Sequence, residues 1–173
     1  MEVFIDFAQI VLPAGLVMYA MFLVVKSFIN KEIEKVRLEI RGKSIEAVLP
    51  NRLQAFERMV LFLERISPQS LILRLDNGSY SAAEFHHILL NEIRNEYNHN
   101  VSQQVYMSDE AWELIKSAKE DLLISINEAA MEMAEKARSI DLGRSIMDKT
   151  MSKQMDPILN ALLHLKNEIR QTF

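Results

Sequence analysis

The sequence contains no cysteine, and this absence removes several classes of protein at once. Without a thiol, the chain can form no disulfide framework, no thiolate zinc site and no cysteine nucleophile. Glycine and proline are scarce, with four residues of each, which argues against sandwiches and barrels because those folds need many turn residues. The four glycines lie too far apart for a glycine-rich phosphate loop, and no G-x-S-x-G nucleophile motif occurs.

An excess of positive charge is missing as well. The chain carries 20 Lys and Arg against 24 Asp and Glu, a formal net charge of −4, so we expect no nucleic-acid partner. What is present is 49% hydrophobic and 25% charged residues over 173 positions. This composition is typical of a folded chain with room for one domain of modest size.

The first distinctive feature is an uncharged run of 19 residues, Phe7–Val25, between Asp6 and Lys26. An apolar helix of about 20 residues matches the hydrocarbon core of a bilayer, and lipid-embedded helices tolerate a proline such as Pro13. The alternatives are a cleaved signal peptide and a buried core helix. A signal peptide needs a basic start, and a core helix is rarely apolar on every face. The sequence therefore predicts a membrane-spanning anchor that uses the lipid bilayer as its partner through residues 7–25.

Charged residues on the two sides of this run predict its orientation. Glu2 and Asp6 precede it, whereas six basic residues follow it within 18 positions: Lys26, Lys31, Lys35, Arg37, Arg41 and Lys43. Basic residues stay on the cytoplasmic side of a membrane, so we expect the N-terminus outside and the C-terminus in the cytoplasm. The run has no ionisable group and no GxxxG pair, which indicates a tether rather than an ion path or a close helix dimer.

The segment after the anchor predicts an amphipathic stalk helix over residues 29–49. Ile29, Ile33, Val36 and Ile40 recur at helical spacing with Lys and Glu between them. A strand over residues 36–41 also fits the alternation, but the longer register favours the helix. The basic residues would also permit contact with anionic lipid.

From Pro50 onward the pattern predicts a helical bundle, with a helix boundary at the proline because the residue before proline avoids helical geometry. Ser67 and Pro68 end the first bundle helix, and residues 71–75 fit either a helix or a strand, the helix being favoured. Ser81 and Glu84 form a capping box for a helix over 82–105. Ser108 starts a helix that continues towards Ala137.

The remaining bundle pattern predicts two more helices. Leu142 and Ile146 indicate one, and Asp156-Pro157 opens the last, with an inward face listed as Leu159, Leu162, Leu163 and Ile169. The predicted fold is all-α, with one N-terminal transmembrane helix, a short amphipathic stalk and an antiparallel cytoplasmic bundle of four to six helices. The predicted domains are the anchor (1–28), the stalk (29–49) and the bundle (50–173).

Histidines are the only obvious ligands for a borderline metal. Glu84 with His87, and Glu96 with His99, both fit Glu-x-x-His, but the two copies lie on one predicted helix, about 18 Å apart along its axis. A di-metal centre needs copies from different helices. His164 and Glu168 form a further i,i+4 pair. We expect these groups to be solvated or helix-capping, with no metal and no cofactor.

A polar ridge on the 82–105 helix is the candidate binding surface. Glu92, Glu96, His99 and Gln103 recur at helical spacing beside the apolar stripe, and Asn100 and Gln104 project towards that stripe. Buried amides are costly unless bonded, so the helix supports a specific contact. Internal hydrogen bonds that hold the helix in register are the leading interpretation. A partner-binding surface comes second and a metal or small-ligand site last.

Three segments resemble a family of bacterial single-span membrane proteins without assigned function. The segments are RLQAFERMVLFLERISPQSLILRL (52–75), IRNEYNHNVSQQVYMSDEAWELIKSAKE (93–120) and LKNEIRQTF (165–173). The resemblance covers most of residues 45–173. It implies a single span in the bacterial cytoplasmic membrane followed by cytoplasmic helices, and it implies no catalytic or binding residues.

These observations favour a non-enzymatic, membrane-tethered helical scaffold or protein-interaction module with unidentified protein partners. The sequence also permits a coiled coil and a homo-oligomer. One alternative is a structural subunit of a larger membrane complex. The peripheral stalk of ATP synthase shares the single span and charged helix, but it needs one long uninterrupted helix, which the prolines argue against. A metal-dependent bundle enzyme using the Glu-x-x-His pairs is the least favoured alternative.

Overall fold

The computed structural model describes the backbone of residues 1–171, together with every side chain in that range except those of residues 2–11, 41, 44 and 45. Within residues 1–171, six α-helices follow one another: α1 (Glu2–Ile66), α2 (Pro68–Leu75), α3 (Ala82–Asn100), α4 (Asp109–Met131), α5 (Ser139–Met151) and α6 (Pro157–Arg170). A 3₁₀ helix, Val101–Tyr106, links α3 to α4. The 171 described residues contain no strand, and the predicted all-α class is confirmed.

The chain divides into two units, Met1–Leu49 and Pro50–Phe173. The first contains only the N-terminal part of α1, where every side chain from Leu12 to Ile40 is exposed. Residues 12–40 of this helix are long and apolar enough to cross a membrane. The side chains of residues 7–11, which belong to the predicted span, lie outside those described, as do residues 172–173 of the predicted bundle.

Pro50 does not end a helix, so the predicted boundary there is wrong. Helical geometry continues through Leu49 and Pro50 to Ile66. The proline removes one backbone donor, which leaves the carbonyl of Glu46 without its helical partner. Glu46 and Pro50 are both exposed, so water can bond that carbonyl and the cost is limited.

The second unit is a helical bundle with one hydrophobic core. Helix α4 packs against α3, α5 and α6, and α2 packs against α3 and α5. The C-terminal part of α1 adds five large buried side chains to the same core: Phe56, Met59, Phe62, Leu63 and Ile66. Gly143 of α5 faces Ile72 of α2, and a Cβ at Gly143 would lie 3.2 Å from Ile72 Cγ2. The glycine therefore allows these two helices to approach closely.

Aromatic rings join three elements of this core. Tyr97 of α3 lies 5.6 Å from the Trp112 ring of α4 and 6.1 Å from the Phe62 ring of α1, measured between centroids. Lys119 places its Nζ 4.2 Å from the centre of the Tyr97 ring. Each aromatic pair adds a fraction of a kcal/mol to about 1.5 kcal/mol beyond its buried area. Trp112 is the single tryptophan of the chain and reports on this contact.

Local sequence signals account for most helix starts. The Ser81 hydroxyl accepts from the Glu84 N–H while the Glu84 carboxylate accepts from the Ser81 N–H, so the predicted capping box is confirmed. Ser108 caps α4 and Asp156 caps α6, with Pro157 at the first helical position as expected. Residues 71–75 belong to α2, which settles the alternative in favour of helix.

Two predicted helices are shorter in the structure. Helix α3 ends at Asn100, whose side-chain amide donates to the Glu96 carbonyl and competes with the helical hydrogen bonds there. Helix α4 ends at Met131 rather than near Ala137. The carbonyl of Ala137 instead accepts from the Ala82 N–H at 2.9 Å, which joins the start of α3 to the segment before α5.

The inward face of α6 also differs from the prediction. Leu162 is buried, but Leu159 and Leu163 are about half exposed, and the other buried side chains are Ile158, Ala161 and Leu165. Leucines occur around most of this helix, so the pattern alone offers two apolar faces. Packing against α4 selects between them.

Candidate functional site

The described part of α1 in the first unit presents an extended apolar surface. Between Leu12 and Val25, apolar side chains are 45–73% exposed, and neither an acid nor a base interrupts them. A soluble monomer rarely exposes a contiguous apolar surface of this extent. A second, narrower apolar stripe follows on the same helix, formed by Ile29, Ile33, Val36 and Ile40, which are 43–59% exposed.

The predicted polar ridge is built largely from internal ion pairs. Arg65, near the end of α1, places its Nε 2.8 Å from Glu96 Oε1, and Arg74 of α2 places its Nη1 2.5 Å from Glu92 Oε1. Arg65 also lies 4.0 Å from Glu92. The two carboxylates therefore connect α3 to α1 and α2, the arrangement expected of the register-holding interpretation.

The other two ridge residues, His99 and Gln103, make no ion pair among the described residues. His99 is exposed, and Gln103 is half-buried with its amide donating to Ser102 Oγ at 3.3 Å. Gln103 lies in the 3₁₀ helix, so it is not on the same helical surface as Glu92 and Glu96. Asn100 is half-buried and bonded to the backbone, whereas Gln104 is exposed and does not project into the core. Glu92, Glu96 and His99 thus lie along one face of α3, with the two carboxylates held in ion pairs, and only Gln103 lies beyond the end of this helix.

A polar cluster that sequence reasoning did not assemble surrounds Glu168 near the end of α6. Its carboxylate accepts from Arg52 Nη2 at 3.1 Å, from the Ser108 N–H at 3.1 Å and from the Ser108 hydroxyl at 2.6 Å. Its side chain is only 14% exposed. Arg52 also donates to the Tyr106 carbonyl. Glu168 therefore joins α1, the start of α4 and α6, and no spacing rule brings residues so distant in sequence together.

His164 lies beside this cluster, one turn before Glu168. Its Nε2 is 3.9 Å from Glu168, and its Nδ1 is 4.0 Å from Glu110 of α4. Among the described side chains, no group of three or more His, Asp or Glu has metal-binding geometry. His87 and His99 are both exposed on α3 and, as the sequence spacing requires, stay on one helix. His86 instead bonds Asn127 at 2.8 Å, which connects α3 to α4.

A cleft of about 300 Å³ opens between the start of α2 and the helices α4, α5 and α6. Lys153 lies at its rim, where its ammonium group contacts Asp121 and donates to Ser125 Oγ at 2.8 Å. Ser125 is buried and also donates to the Asp121 carbonyl. Lys153, Asp121 and Ser125 thus bond one another and connect the segment after α5 to α4.

One carboxylate near a helix start has a shifted ionisation. The N–H and hydroxyl of Ser81 hydrogen-bond the charged form of Glu84 and lower its pKa from the ordinary glutamate value. This carboxylate is a helix cap on an exposed surface.

Comparison with known proteins gives one finding. The model for a family of unknown function, DUF7935, matches residues 2–172. The chain belongs to this family. The expectation of an uncharacterised family is thereby confirmed. No curated protein and no solved structure matches the chain. Membership of DUF7935 carries no activity, so the function must be argued from the molecule itself.

Proposed function

We propose that this DUF7935 protein is a membrane-tethered, non-enzymatic helical interaction module on the cytoplasmic face of the bacterial inner membrane. The observation that carries the proposal is the exposed apolar surface of α1 between Leu12 and Val25. Removing apolar surface from water contributes about 25 cal/mol per Å², so this helix is strongly stabilised by entering a hydrocarbon environment.

Lipid is the preferred partner of that surface because apolar side chains are exposed on all sides of the helix, and a bilayer surrounds a spanning helix on all sides. The four consecutive exposed residues Leu16, Val17, Met18 and Tyr19 point in four different directions around the helix, at about 100° per residue. A protein partner usually covers one face of a helix, which would leave a polar opposite face. A signal sequence passes the same length test, so the fate of the N-terminus in the mature protein is the first thing to measure.

Flanking charge supports the cytoplasmic placement of the bundle. The exposed basic residues Lys26, Lys31, Lys35 and Arg37 follow the span closely, whereas Glu2 and Asp6 precede it. Because such basic residues tend to stay in the cytoplasm, they support a topology with residues 50–173 inside the cell and the N-terminus outside.

The bundle itself supports binding rather than catalysis. Its polar clusters are arranged as ion pairs between helices, and a separate groove between α2 and α5 presents apolar side chains to solvent. Leu73 is 74% exposed and Ile140 is 52% exposed beside that groove, with Arg144 and Asp76 at its edge. An apolar groove with a charged rim is the usual form of a protein-binding surface.

A structural subunit of a larger membrane complex is the second candidate. Helix α1 is continuous for 65 residues and includes Pro50. Pro50 therefore does not interrupt a long stalk helix, and this weakens the sequence argument against a stalk subunit. The compact bundle after Ile66 favours the interaction module over a stalk built from a single extended helix.

Fractionation and topology mapping test the tether. We expect the full chain to remain in membranes after alkaline carbonate washing and to dissolve only in detergent. A C-terminal tag should resist protease added outside intact cells and become accessible after lysis. Recovery of the chain in the aqueous fraction, or digestion of the tag from outside, contradicts the proposal.

Affinity purification in mild detergent tests the interaction module. We expect a stoichiometric partner whose recovery falls when Leu73 and Ile140 are changed together to Ser. The matched control is Leu159→Ser with Leu163→Ser, two half-exposed leucines on α6 outside the groove. An equal loss of partner with both double variants contradicts binding at the groove.

A further inference from the structure

Among the described side chains of the first unit, the stripe on α1 after the membrane span is not covered by any partner. Ile29, Ile33, Val36 and Ile40 are all exposed, and they recur at intervals of four, three and four residues. At about 100° per residue, the four side chains lie within an arc of about 60°. The apolar stripe of a helix that packs on a globular core covers a wider arc. An apolar stripe as narrow as this one is typical of a coiled-coil seam.

Charged residues flank the two sides of this seam with opposite sign. Glu32 lies on one side of the stripe and Arg37 on the other, both exposed. With Ile33 and Ile40 at heptad position a, and Ile29 and Val36 at position d, Glu32 occupies g and Arg37 occupies the following e. In a parallel coiled coil, these are the positions that meet between neighbouring chains. Each Glu32 would therefore face Arg37 of another copy.

We propose that residues 29–40 pair with the same segment of other copies of this chain in a short parallel coiled coil. The inference rests on the proposed membrane tether, because a shared span direction makes the neighbouring helices parallel. Isoleucine and valine at both a and d favour three strands over two. Two heptads are too short to associate strongly in solution, so anchorage in the plane of the membrane supplies the needed local concentration.

A lipid surface is a poorer occupant of the stripe. A helix that lies in the membrane interface has a broad apolar face, whereas this face is closed on both sides by Glu32 and Arg37. Helix α1 also continues without a break from Leu12 to Ile40, so the stripe shares the axis of the span. An interfacial helix would instead need a bend after the span.

Single-cysteine crosslinking tests the seam directly, because the chain has no native cysteine. The seam variants are Ile33→Cys and Ile40→Cys in the full-length protein in native membranes. The matched controls are Lys31→Cys and Leu38→Cys, which lie on the opposite side of the helix. Disulfide formation requires Cα atoms within about 7 Å, so we expect crosslinked species at least about fivefold more abundant for the seam variants.

A charge exchange provides a second test that does not alter the apolar seam. In the Ile40→Cys background, Glu32→Arg or Arg37→Glu alone places like charges opposite each other. We expect either to lower crosslinking by roughly threefold, since several related pairs change from attraction to repulsion. The double variant, Glu32→Arg with Arg37→Glu, restores opposite charges and should restore the yield.

Each remaining outcome overturns a defined part of the argument. Equal crosslinking at seam and control positions in membrane-bound protein overturns the coiled coil and leaves the tether intact. Seam cysteines that resist both crosslinking and a water-soluble maleimide show that lipid covers the stripe, which also overturns the coiled coil. A chain found in the aqueous fraction overturns the tether and the inference together.

Discussion

Two buried serines show that the effect of a buried hydroxyl on stability depends on whether it has hydrogen-bond partners. Ser125 and Ser139 are each 1% exposed. Ser125 Oγ donates to the Asp121 carbonyl and accepts from Lys153, whereas Ser139 Oγ is buried without a hydrogen-bond partner among the described residues. A buried hydroxyl without a partner costs stability, while a bonded one offsets its own desolvation.

The two serines therefore predict opposite responses to the same substitution. Ser139→Ala should leave the free energy of unfolding unchanged or raise it by up to about 1 kcal/mol, because it removes an unsatisfied group. Ser125→Ala should lower it by about 1–2 kcal/mol, since Lys153 loses a partner. Denaturant unfolding followed by Trp112 fluorescence measures both. Equal losses for the two variants would contradict this assignment of partners.

The capping carboxylate predicts a pH dependence. The Ser81 N–H and hydroxyl lower the pKa of Glu84, so its charged form stabilises the folded state above the ordinary glutamate pKa. That contribution disappears as the pH falls through the lowered folded-state value. Glu84→Gln should therefore melt at a lower temperature than the wild type at neutral pH. The difference should vanish in strongly acidic buffer, and a difference independent of pH would show that the charge is not involved.

At the scale of the helices, the prolines have different effects according to position. Pro157 stands at the first position of α6, where its missing N–H would have no helical partner. Pro50 stands within α1, where a proline normally costs about 3 kcal/mol relative to alanine. Pro157 thus marks a helix start, whereas Pro50 lies within a helix.

Exchanging each proline for alanine separates these roles. Pro50→Ala should raise the free energy of unfolding by about 1–2 kcal/mol, the helical gain being partly offset by greater freedom of the unfolded chain. Pro157→Ala should be neutral or destabilising by up to about 1 kcal/mol. Circular dichroism of the full chain in detergent gives both values. A neutral Pro50→Ala would indicate that a helix begins at Pro50 rather than passing through it.

At the scale of the whole molecule, the two units differ in how far their described side chains are buried. Residues 50–171 contain their own core, whereas the described side chains from Leu12 to Ile40 are all exposed. Among the described side chains, the second unit therefore has a core of its own and the first unit contributes none to it.

Removal of residues 1–28 tests this division. We expect the shortened chain to move to the aqueous fraction and to keep a cooperative unfolding transition, because no described side chain of the deleted part belongs to the core. Size-exclusion chromatography should show one monodisperse species. Aggregation of the shortened chain would favour an obligate subunit of a larger complex over an independent module.

The sequence by itself determined the features that depend on near neighbours. Ser81 with Glu84, Ser108, and Asp156 with Pro157 mark helix starts because a cap is a contact between residues two or three positions apart. The uncharged run after Asp6 likewise identifies a helix suited to lipid from composition and length alone.

Only the tertiary structure decided which surfaces and charges meet. Two of the four predicted ridge residues form ion pairs with Arg65 and Arg74. Arg52 hydrogen-bonds Glu168, which lies 116 positions later in the sequence. Leu159 and Leu163 face outward because packing on α4 selects one of two apolar faces. The physical reason is that capping and periodicity depend on local backbone geometry. The choice of buried face and ion partner depends instead on the competition among all helices for one core.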